Sequence, residues 1–377
     1  MRILVGIEHP KRVHVWKNPI KKLIERGHEV KIAARDKDIT LKLLNLLGFN
    51  YEIYGKNYIR LFGKAYGLIE SNLKLLKIAR DFDPDLFVGK GSAYMGQVSR
   101  MLSKPYICFS DTEHAKLANL LTYPFADVIC TPSCFKKRIN PSKHITYNGY
   151  EELAYLHPKY FKPDPSVLND LGLSKNDKFI IMRLISWGAA HDIRSRGFSK
   201  DFLEKAIKSL EKYGHVFITS ERKLNKNLEK YKIPIAPEKL HSALYYASLY
   251  FGEGGTTATE SALLGTPSVH VEGILTRSGE LKDVIQAQNI GVRDELVNKY
   301  RLSYTFADQY LALNKALEIL DDNNAKRKQK EKLKKVLEEK IDVTAFMTDF
   351  IERYPESFYD YMSKREIEKE FKENSKI

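Results

Sequence analysis

The chain has 377 residues, and this length favours two domains because a single hydrophobic core rarely serves more than about 250–300 residues. No apolar run reaches the ~18–20 residues of a membrane-spanning helix, and residues 1–7 are too short and strand-like for a signal peptide, so a cytoplasmic location is expected. The net charge of +14 suits nucleic acid, an anionic membrane or anionic small molecules, but no nucleic-acid-binding motif accompanies it.

Strands and helices alternate along the first part of the chain. The continuous apolar run at residues 2–7 is typical of a buried parallel strand. Further strands are predicted at 29–34, 51–54, 85–88, 106–109 and 128–130, with helices at 17–26, 38–47, 58–80 and 96–102. Such alternation predicts an α/β fold with a parallel sheet covered on both faces.

Residues 148–165, which are rich in Gly, Pro, Tyr and acidic residues, interrupt the alternation. It restarts with strands at 178–183 and 215–219 and helices at 200–213, 281–288 and 308–320. The predicted domains are therefore residues 1–165 and 166–345, followed by a helical tail at 346–377. Ligands of open α/β sheets bind at the carboxyl ends of the strands, so a cleft between the two domains is expected.

The segment 250–271 carries the clearest binding motif of the chain. Five of its residues have the chemistry of a nucleotide site: Gly254, Gly255, Thr256, Thr257 and Glu260. The glycines allow a sharp turn, the threonines are placed to open and cap a helix, and a helix start attracts a diphosphate. The glutamate, one turn further on, can reach the hydroxyls of an attached ribose. The alternative is an ordinary β-α-β turn whose glycines serve geometry alone.

Three loops of the first domain carry candidate acids and bases. His9 follows the first strand and suits a general base, or it only hydrogen-bonds its own loop. Asp111 and Glu113 lie in the dense polar run Ser110-Asp-Thr-Glu-His114, which serves acid–base chemistry or caps the next helix. Lys90-Gly-Ser92 either cradles an anion or forms a plain strand-to-helix turn.

The second domain adds basic loops that a phosphate ligand would need. Arg183 and Arg194 can form charge-assisted bonds to phosphate, and His191 between them can act as an acid or base, unless this is only a solvated loop. Arg277 and Glu280 follow the strand that ends the glycine motif, at the expected cleft edge.

The predicted helix at 58–80 combines basic and apolar residues. Such a helix can rest on a membrane surface or hold a lipid-linked acceptor, or it can be a core helix with a solvated basic side.

The two α/β halves, the run Arg26-Gly-His-Glu-Val30 and the segment from Gly254 to Pro267 together resemble the GT-B superfamily. That superfamily holds nucleotide-sugar glycosyltransferases and non-hydrolysing UDP-N-acetylglucosamine 2-epimerases. The runs Tyr123-Pro-Phe-Ala-Asp-Val128 and Tyr147-Asn-Gly-Tyr-Glu-Glu-Leu-Ala-Tyr-Leu-His157 resemble a little-characterised GT-B-like family over residues 1 to about 350. The resemblance implies two Rossmann-like domains with parallel sheets facing a central cleft, the second domain holding most of the nucleotide sugar.

The resemblance also implies roles for the candidate residues. Gly254, Gly255 and Thr256 would hold the diphosphate, and Glu260 the ribose. The catalytic candidates are His9, Asp111, Glu113 and His191. The remaining substrate-binding candidates are Thr257, Arg183, Arg194, Arg277 and Glu280.

The expected function is transfer of a sugar, without a metal or other cofactor, from a UDP-linked donor to a glycan or lipid-linked acceptor in cell-surface polysaccharide synthesis. A peripheral contact with the inner membrane surface is compatible with this function, and the oligomeric state is left open. Two alternatives remain: a UDP-N-acetylglucosamine 2-epimerase-like enzyme or sugar-nucleotide hydrolase, and a non-catalytic binding or scaffold protein.

Overall fold

A computed structural model describes residues 1–56, 61–186, 195–276 and 278–374. The chain divides into two compact units: unit 1 is Met1–Tyr155 with Ile341–Ile377, and unit 2 is Leu156–Lys340. The sequence placed the boundary ten residues later, at 165, and expected a separate tail from residue 346. Instead, the chain returns to unit 1 at Ile341, where the backbone N–H donates to the carbonyl oxygen of Asn148.

Unit 1 is built on one seven-stranded sheet in which every paired strand is parallel. Its strands are β1 (Arg2–Ile7), β2 (Glu29–Asp36), β3 (Tyr51–Lys56), β4 (Leu86–Lys90), β5 (Tyr106–Phe109), β6 (Val128–Pro132) and β7 (His144–Tyr147). Their order is β3-β2-β1-β4-β5-β6-β7. The central strands β4 and β5 are buried at every position, as expected where helices cover both faces of a sheet.

The helices of unit 1 divide between the two faces of the sheet. They are α1 (Pro10–Glu25), α2 (Thr40–Leu46), α3 (Leu61–Phe82), α4 (Ala93–Met101), α5 (Lys116–Thr122) and the short α6 (Leu153–Leu156). The chain adds β2 and β3 on one side of β1 and then β4 to β7 on the other side. Because crossover connections are right-handed, this reversal of strand order places α1 and α2 on one face and α3, α4 and α5 on the other. Neighbouring helices on each face contact one another.

Helix α1 begins earlier than the sequence predicted. The pattern predicted a helix at 17–26, but Pro10 opens the helix and His9 is its N-cap, with Nδ1 accepting from the backbone N–H of Lys11 at 3.2 Å. Proline is well suited to a first helical turn because its fixed φ is already helical and its missing N–H has no helical partner to lose.

Unit 2 contains a five-stranded parallel sheet and a small antiparallel one. The strands are β8 (Phe179–Leu184), β9 (Ser195–Arg196), β10 (His215–Ser220), β11 (Leu249–Gly252), β12 (Ser268–Val271), β13 (Gly273–Leu275), β14 (Leu281–Asp283) and β15 (Ser303–Phe306). The parallel order is β10-β8-β11-β12-β15, and the antiparallel order is β14-β13-β9. The predicted helix at 281–288 is partly wrong, since β14 occupies its start and Asp283 caps the helix that follows.

The helices of unit 2 alternate with its strands along the chain, and several bury an apolar stripe. They are α7 (Ser166–Asp170), α8 (Lys200–Leu210), α9 (Lys226–Glu229), α10 (Leu240–Tyr246), α11 (Gly255–Leu263), α12 (Val284–Gln288), α13 (Gly291–Asp294), α14 (Gln309–Asp321) and α15 (Ala325–Glu339). Helix α8 shows the pattern well, since it buries Phe202, Ala206 and Leu210 at four-residue spacing.

Two further helices, α16 (Val343–Glu352) and α17 (Glu356–Asn374), follow unit 2 in sequence and belong to unit 1. Helix α16 packs on α1, and the Thr344 hydroxyl donates to the carbonyl oxygen of Ala154 at 2.7 Å. Among the described residues, no helix is both long and apolar enough to cross a membrane.

Candidate functional site

The turn between β11 and α11 leaves the start of the helix open. Helix α11 begins at Gly255, and its N-cap is Gly254, which has no side chain to bond the first N–H groups. The first intrahelical bond runs from Ala258 N to Gly254 O at 2.9 Å, so the N–H groups of residues 255–257 have no partner within the helix. The predicted cap by Thr256 or Thr257 is therefore wrong. An uncapped start with a positive dipole end is well suited to an anion.

Three side chains hold this turn in place. The Tyr250 hydroxyl donates to Gly254 O at 2.9 Å, and His270 Nε2 donates to Glu253 O at 3.0 Å. The side chain of Arg183 lies across the turn, so a Cβ on Gly252 would come within 2.8 Å of the Arg183 Cβ. The glycine is needed for this close approach, and the turn geometry is set before any ligand arrives.

Glu253, inside the turn, is a structural carboxylate. It is fully buried, and its two oxygens accept from the backbone N–H groups of Ile185 at 2.9 Å and Phe198 at 2.7 Å. These two residues lie on either side of segment 187–194, so one carboxylate holds the backbone at both positions. The predicted site residues His191 and Arg194 belong to that segment and lie outside the described residues.

Glu260, the predicted ribose contact, is paired inside unit 2. Its Oε1 lies 3.1 Å from His241 Nε2 of α10, and both residues are buried. The sequence analysis missed His241, because nothing in residues 240–246 signals which side chain faces α11. The ribose role of Glu260 stays a prediction.

Two other predicted substrate contacts of this unit, Arg183 and Glu280, have partners within it. Arg183 donates to Thr219 Oγ1 at 2.8 Å and to Glu221 Oε1 at 2.6 Å, across the carboxyl ends of β8 and β10. Glu280 is exposed and lies 3.1 Å from Lys282 Nζ, and Arg277 lies outside the described residues. The substrate contacts assigned to these three positions remain predictions.

Arg293 is the cation that the structure places at the start of α11. A Cβ on Gly255 would lie 1.7 Å from its Nη2, so the guanidinium occupies the space that a side chain at 255 would fill. Its Nη1 pairs with Glu272 at 3.0 Å, which fixes its position. The sequence analysis missed Arg293 because it follows the glycine turn by almost forty residues.

His270 gives this region a testable pH dependence. Burial, and then the charge of Arg293, lower the pKa of His270 to about 3. An unfolded chain binds this proton below about pH 6.5, whereas the folded chain does not, so stability falls as pH drops from 6.5 towards 3, by up to about 1.4 kcal/mol per pH unit. We expect His270→Gln to flatten this part of the stability curve, measured by urea unfolding from pH 7 to pH 4.5. The exposed His215→Gln is the control, and wild-type and His270→Gln curves that ran parallel would contradict the prediction.

Unit 1 places a cluster of buried charges at the carboxyl edge of its sheet. Lys11 Nζ lies 2.7 Å from Asp111 Oδ2 and 2.7 Å from Glu152 Oε1. Lys90 Nζ lies 2.7 Å from Asp111 Oδ1 and also pairs with Glu151. Asp111 thus bridges two ammonium groups, which come from the end of β4 and the start of α1. The chain segment after β7 supplies the two glutamates.

The pKa values of two carboxyl groups in this cluster, Asp111 and Glu151, shift in opposite directions. Burial alone would raise the pKa of Asp111, but Lys11 and Lys90 hold it well below its usual range, so Asp111 is ionised and a weak base. Burial and the charge of Asp111 raise the pKa of Glu151 to about 7. Three carboxyl groups share two ammonium groups, and Glu151 binds a proton more readily than an ordinary carboxyl group.

Of the other predicted site residues of unit 1, one is exposed and one is buried. His9 is exposed, and partial burial and then the charges of Lys37 and Arg12 lower its pKa, so its ring is neutral at neutral pH. Glu113 is buried, and its Oε1 accepts from the backbone N–H of Lys136 at 3.3 Å. Capping of the next helix by residues 111–113 is wrong, since α5 begins only at residue 116.

Lys90-Gly-Ser92 serves two structural purposes. The Ser92 hydroxyl accepts from Met95 N at 3.2 Å as the N-cap of α4, which is the plain-turn alternative, while Lys90 belongs to the charge cluster. Ser92 also bonds Glu8, whose carboxylate accepts from the Tyr54 hydroxyl at 2.7 Å.

The family model described as "Protein of unknown function (DUF354)" matches residues 1–349. The chain belongs to this family. An uncharacterized protein of Methanocaldococcus jannaschii is 27% identical over 282 residues, covering 71% of this chain and 80% of that protein. The UDP-N-acetylglucosamine–N-acetylmuramyl-(pentapeptide) pyrophosphoryl-undecaprenol N-acetylglucosamine transferase of Buchnera aphidicola is 25% identical over 272 residues, 67% of this chain and 72% of its own.

Solved structures establish the fold class. The UDP-GlcNAc 2-epimerase of Neisseria meningitidis, bound to UDP-GlcNAc, superposes with a TM-score of 0.64 at 12% identity, covering 96% of this chain and all of that one. A glycosyltransferase of Streptomyces sp. SF2575 gives a TM-score of 0.57 at 14% identity, covering 94% of this chain and all of its own. The DUF354 chain therefore has the α/β GT-B fold, and the predictions of family and fold class are confirmed.

Proposed function

We propose that this DUF354 protein is a glycosyltransferase that takes a sugar from a UDP-linked donor and passes it to a glycan or lipid-linked acceptor. One observation carries the proposal: α11 starts without a side-chain cap behind a clamped Gly254–Gly255 turn, with the Arg293 guanidinium beside it. Such a start offers backbone N–H groups, a positive dipole end and a nearby cation to a diphosphate.

The named relatives support this choice of donor and reaction. The Buchnera relative is named as an N-acetylglucosamine transferase acting on a pyrophosphoryl-undecaprenol acceptor, and the Neisseria structure is bound to UDP-GlcNAc. By extension, we propose UDP-N-acetylglucosamine as the first donor to test and a polyprenyl-linked glycan as the first acceptor. This assignment also places the protein in cell-surface polysaccharide synthesis.

The proposed chemistry relies on charge stabilisation at the diphosphate. As the glycosidic bond breaks, negative charge builds on the leaving UDP, and preorganised N–H groups at residues 255–257 stabilise it without a metal. Glu260 is proposed to hold the ribose once the donor is bound. Among His9, Asp111 and Glu113, His9 is the exposed side chain, so we propose that its ring hydrogen-bonds the acceptor hydroxyl.

The first test measures donor binding and, separately, distinguishes a transferase from an epimerase. UDP-N-acetylglucosamine and UDP should each raise the unfolding temperature of the protein, by mass action on the folded state. Incubation in deuterium oxide without an acceptor should leave the sugar unlabelled, whereas an epimerase would incorporate deuterium at the sugar. Absence of any thermal shift across a panel of UDP-sugars would refute the transferase proposal, and deuterium uptake would replace it with the epimerase.

A matched pair of variants at Thr256 tests the backbone contact itself. Thr256 is exposed in the first turn of α11, so Thr256→Ala removes only a hydroxyl, whereas Thr256→Pro also removes the N–H at a position where proline is tolerated. We expect Thr256→Ala to keep UDP affinity within about threefold and Thr256→Pro to lose roughly tenfold or more, since one bond to a charged group is lost. Isothermal titration with UDP measures both, and equal affinities would mean that the diphosphate binds elsewhere.

A further inference from the structure

Helix α5 exposes apolar side chains and buries polar ones. Its leucines Leu117, Leu120 and Leu121 are 67%, 69% and 39% exposed, whereas Asn119 and Thr122 are buried. The Asn119 side-chain amide donates to the carbonyl oxygen of Thr112 at 3.0 Å, which ties the polar side of the helix inward. A helix of a globular protein normally turns its apolar stripe to the core, whereas α5 leaves its leucines exposed.

The neighbouring helices extend this apolar surface. Helix α4 lies between α3 and α5, and the Asn72 amide of α3 donates to Gln97 of α4 at 2.6 Å. All three helices cover the same side of the sheet, and each exposes large apolar side chains on its outer side. We call the following six residues the leucine face: Ile69, Leu73, Met101, Leu117, Leu120 and Leu121.

Exposed basic residues lie on the same helices as the leucine face. Where the side chains of α3, α4 and α5 are described, the basic residues are Lys74, Lys77, Arg80, Arg100 and Lys116, all exposed, and the acidic residues are Glu70 and Asp81. One of these acids, Glu70, pairs with Lys74 at 2.8 Å. The face therefore carries an excess of positive charge, in a chain whose net charge is +14.

We propose that the leucine face is a membrane-docking surface that inserts its aliphatic side chains into an anionic lipid bilayer. Exposed aliphatic side chains together with Lys and Arg are the composition of an interfacial membrane anchor. Protein–protein hot spots are instead enriched in Trp and Tyr, and the leucine face contains neither. Binding is peripheral, since the described helices include none that could span the bilayer. This inference does not depend on the proposed reaction.

Co-sedimentation of the full chain with vesicles tests the proposal. Vesicles of 70% phosphatidylcholine and 30% phosphatidylglycerol should bind the wild type, and pure phosphatidylcholine should bind it less, because the basic residues add an electrostatic attraction to anionic lipid. The triple variant Leu117→Ser, Leu120→Ser, Leu121→Ser should lower the partition coefficient about tenfold or more, because three apolar side chains no longer insert. Its unfolding temperature should fall only slightly, since Leu117 and Leu120 are 67% and 69% exposed and Leu121 is 39% exposed.

A matched control replaces exposed apolar residues on the opposite side of the sheet. Ile24 of α1 and Leu46 of α2 are 50% and 51% exposed, and Ile24→Ser with Leu46→Ser should leave vesicle binding unchanged. Equal loss in the control and in the triple variant would overturn the proposal, as would wild-type protein that fails to sediment with anionic vesicles. Concentration-dependent dimers that the triple variant abolishes, without vesicle binding, would assign the face to a second copy of the chain instead.

Discussion

Glu253→Ala is expected to lower the free energy of unfolding of unit 2 by about 3–5 kcal/mol, because the change removes the buried acceptor of two backbone N–H groups. Ile185 N and Phe198 N both donate to this carboxylate, which is fully buried. For a domain of this size, each kcal/mol shifts the unfolding temperature by roughly 2–4 °C, so a drop on the order of 10 °C should be seen.

Glu253→Gln separates the stability that the hydrogen bonds contribute from the stability that side-chain packing contributes. The amide keeps one acceptor oxygen but turns its NH2 group towards the other backbone N–H, so an intermediate loss is expected. Thermal unfolding of both variants is compared with Glu204→Ala, an exposed position on α8 that should change little. A loss below about 1 kcal/mol in Glu253→Ala would show that the two N–H groups find other partners.

Glu253→Ala should also weaken binding of the UDP-linked donor if the proposed function is right. Glu253 holds the residues on either side of segment 187–194, and the turn that opens α11 contains Glu253 itself. A displaced turn would misplace the N–H groups of residues 255–257, so UDP affinity should fall together with stability. Affinity that stayed at the wild-type level in folded Glu253→Ala would separate the turn from the donor site.

Local features of the fold could be predicted from the sequence, because their causes lie within a few residues of one another. The apolar run at 2–7 is β1, and the glycine motif forms a strand, turn and helix in the order expected. Residues 106–109 match β5 at both ends. Parallel strands leave a clear signal in a single sequence, since their apolar runs are nearly continuous.

The site was harder to predict, because its decisive contacts join residues far apart in sequence. Lys90 pairs with Glu151, 61 residues away, and Arg293 fills the space beside Gly255. The missing side-chain cap on α11 has a similar cause. Two threonines after a glycine turn predict a side-chain cap, but in the folded turn Gly254 is the N-cap.

Helix α5 escaped prediction for a different reason. It has only seven residues, and its leucines would be assigned to the core by any periodicity argument. The buried position of Asn119 depends on the carbonyl group of Thr112, a contact that only the folded loop provides.

Lys90→Met is expected to destabilise unit 1 by about 3–5 kcal/mol at pH 8, the usual loss when one partner of a buried ion pair is removed. Lys90 is 8% exposed and contacts both Asp111 and Glu151. Asp111 keeps Lys11 as a partner at 2.7 Å, so the carboxylate most affected is Glu151, which is almost completely buried. Lys104→Met, which breaks an exposed pair with Asp83, is the control and should change stability by no more than about 1 kcal/mol.

The destabilisation by Lys90→Met should grow with pH, and this dependence identifies its cause. The pKa of Glu151 is already raised to about 7 in the folded chain, above the ordinary value of 4.5, and loss of Lys90 raises it further. A raised carboxyl pKa leaves stability intact below about pH 4.5 and removes it as pH rises through the folded value. The loss measured by urea unfolding should therefore be larger at pH 8 than at pH 5 by about 1.4 kcal/mol, which corresponds to the one pH unit above the wild-type pKa of Glu151. Glu151→Gln added to Lys90→Met should restore much of the stability at pH 8, because no buried carboxylate then remains unpaired at position 151. A loss that was equal at both pH values would mean that Lys90 acts through packing, and the charge cluster would have no part in it.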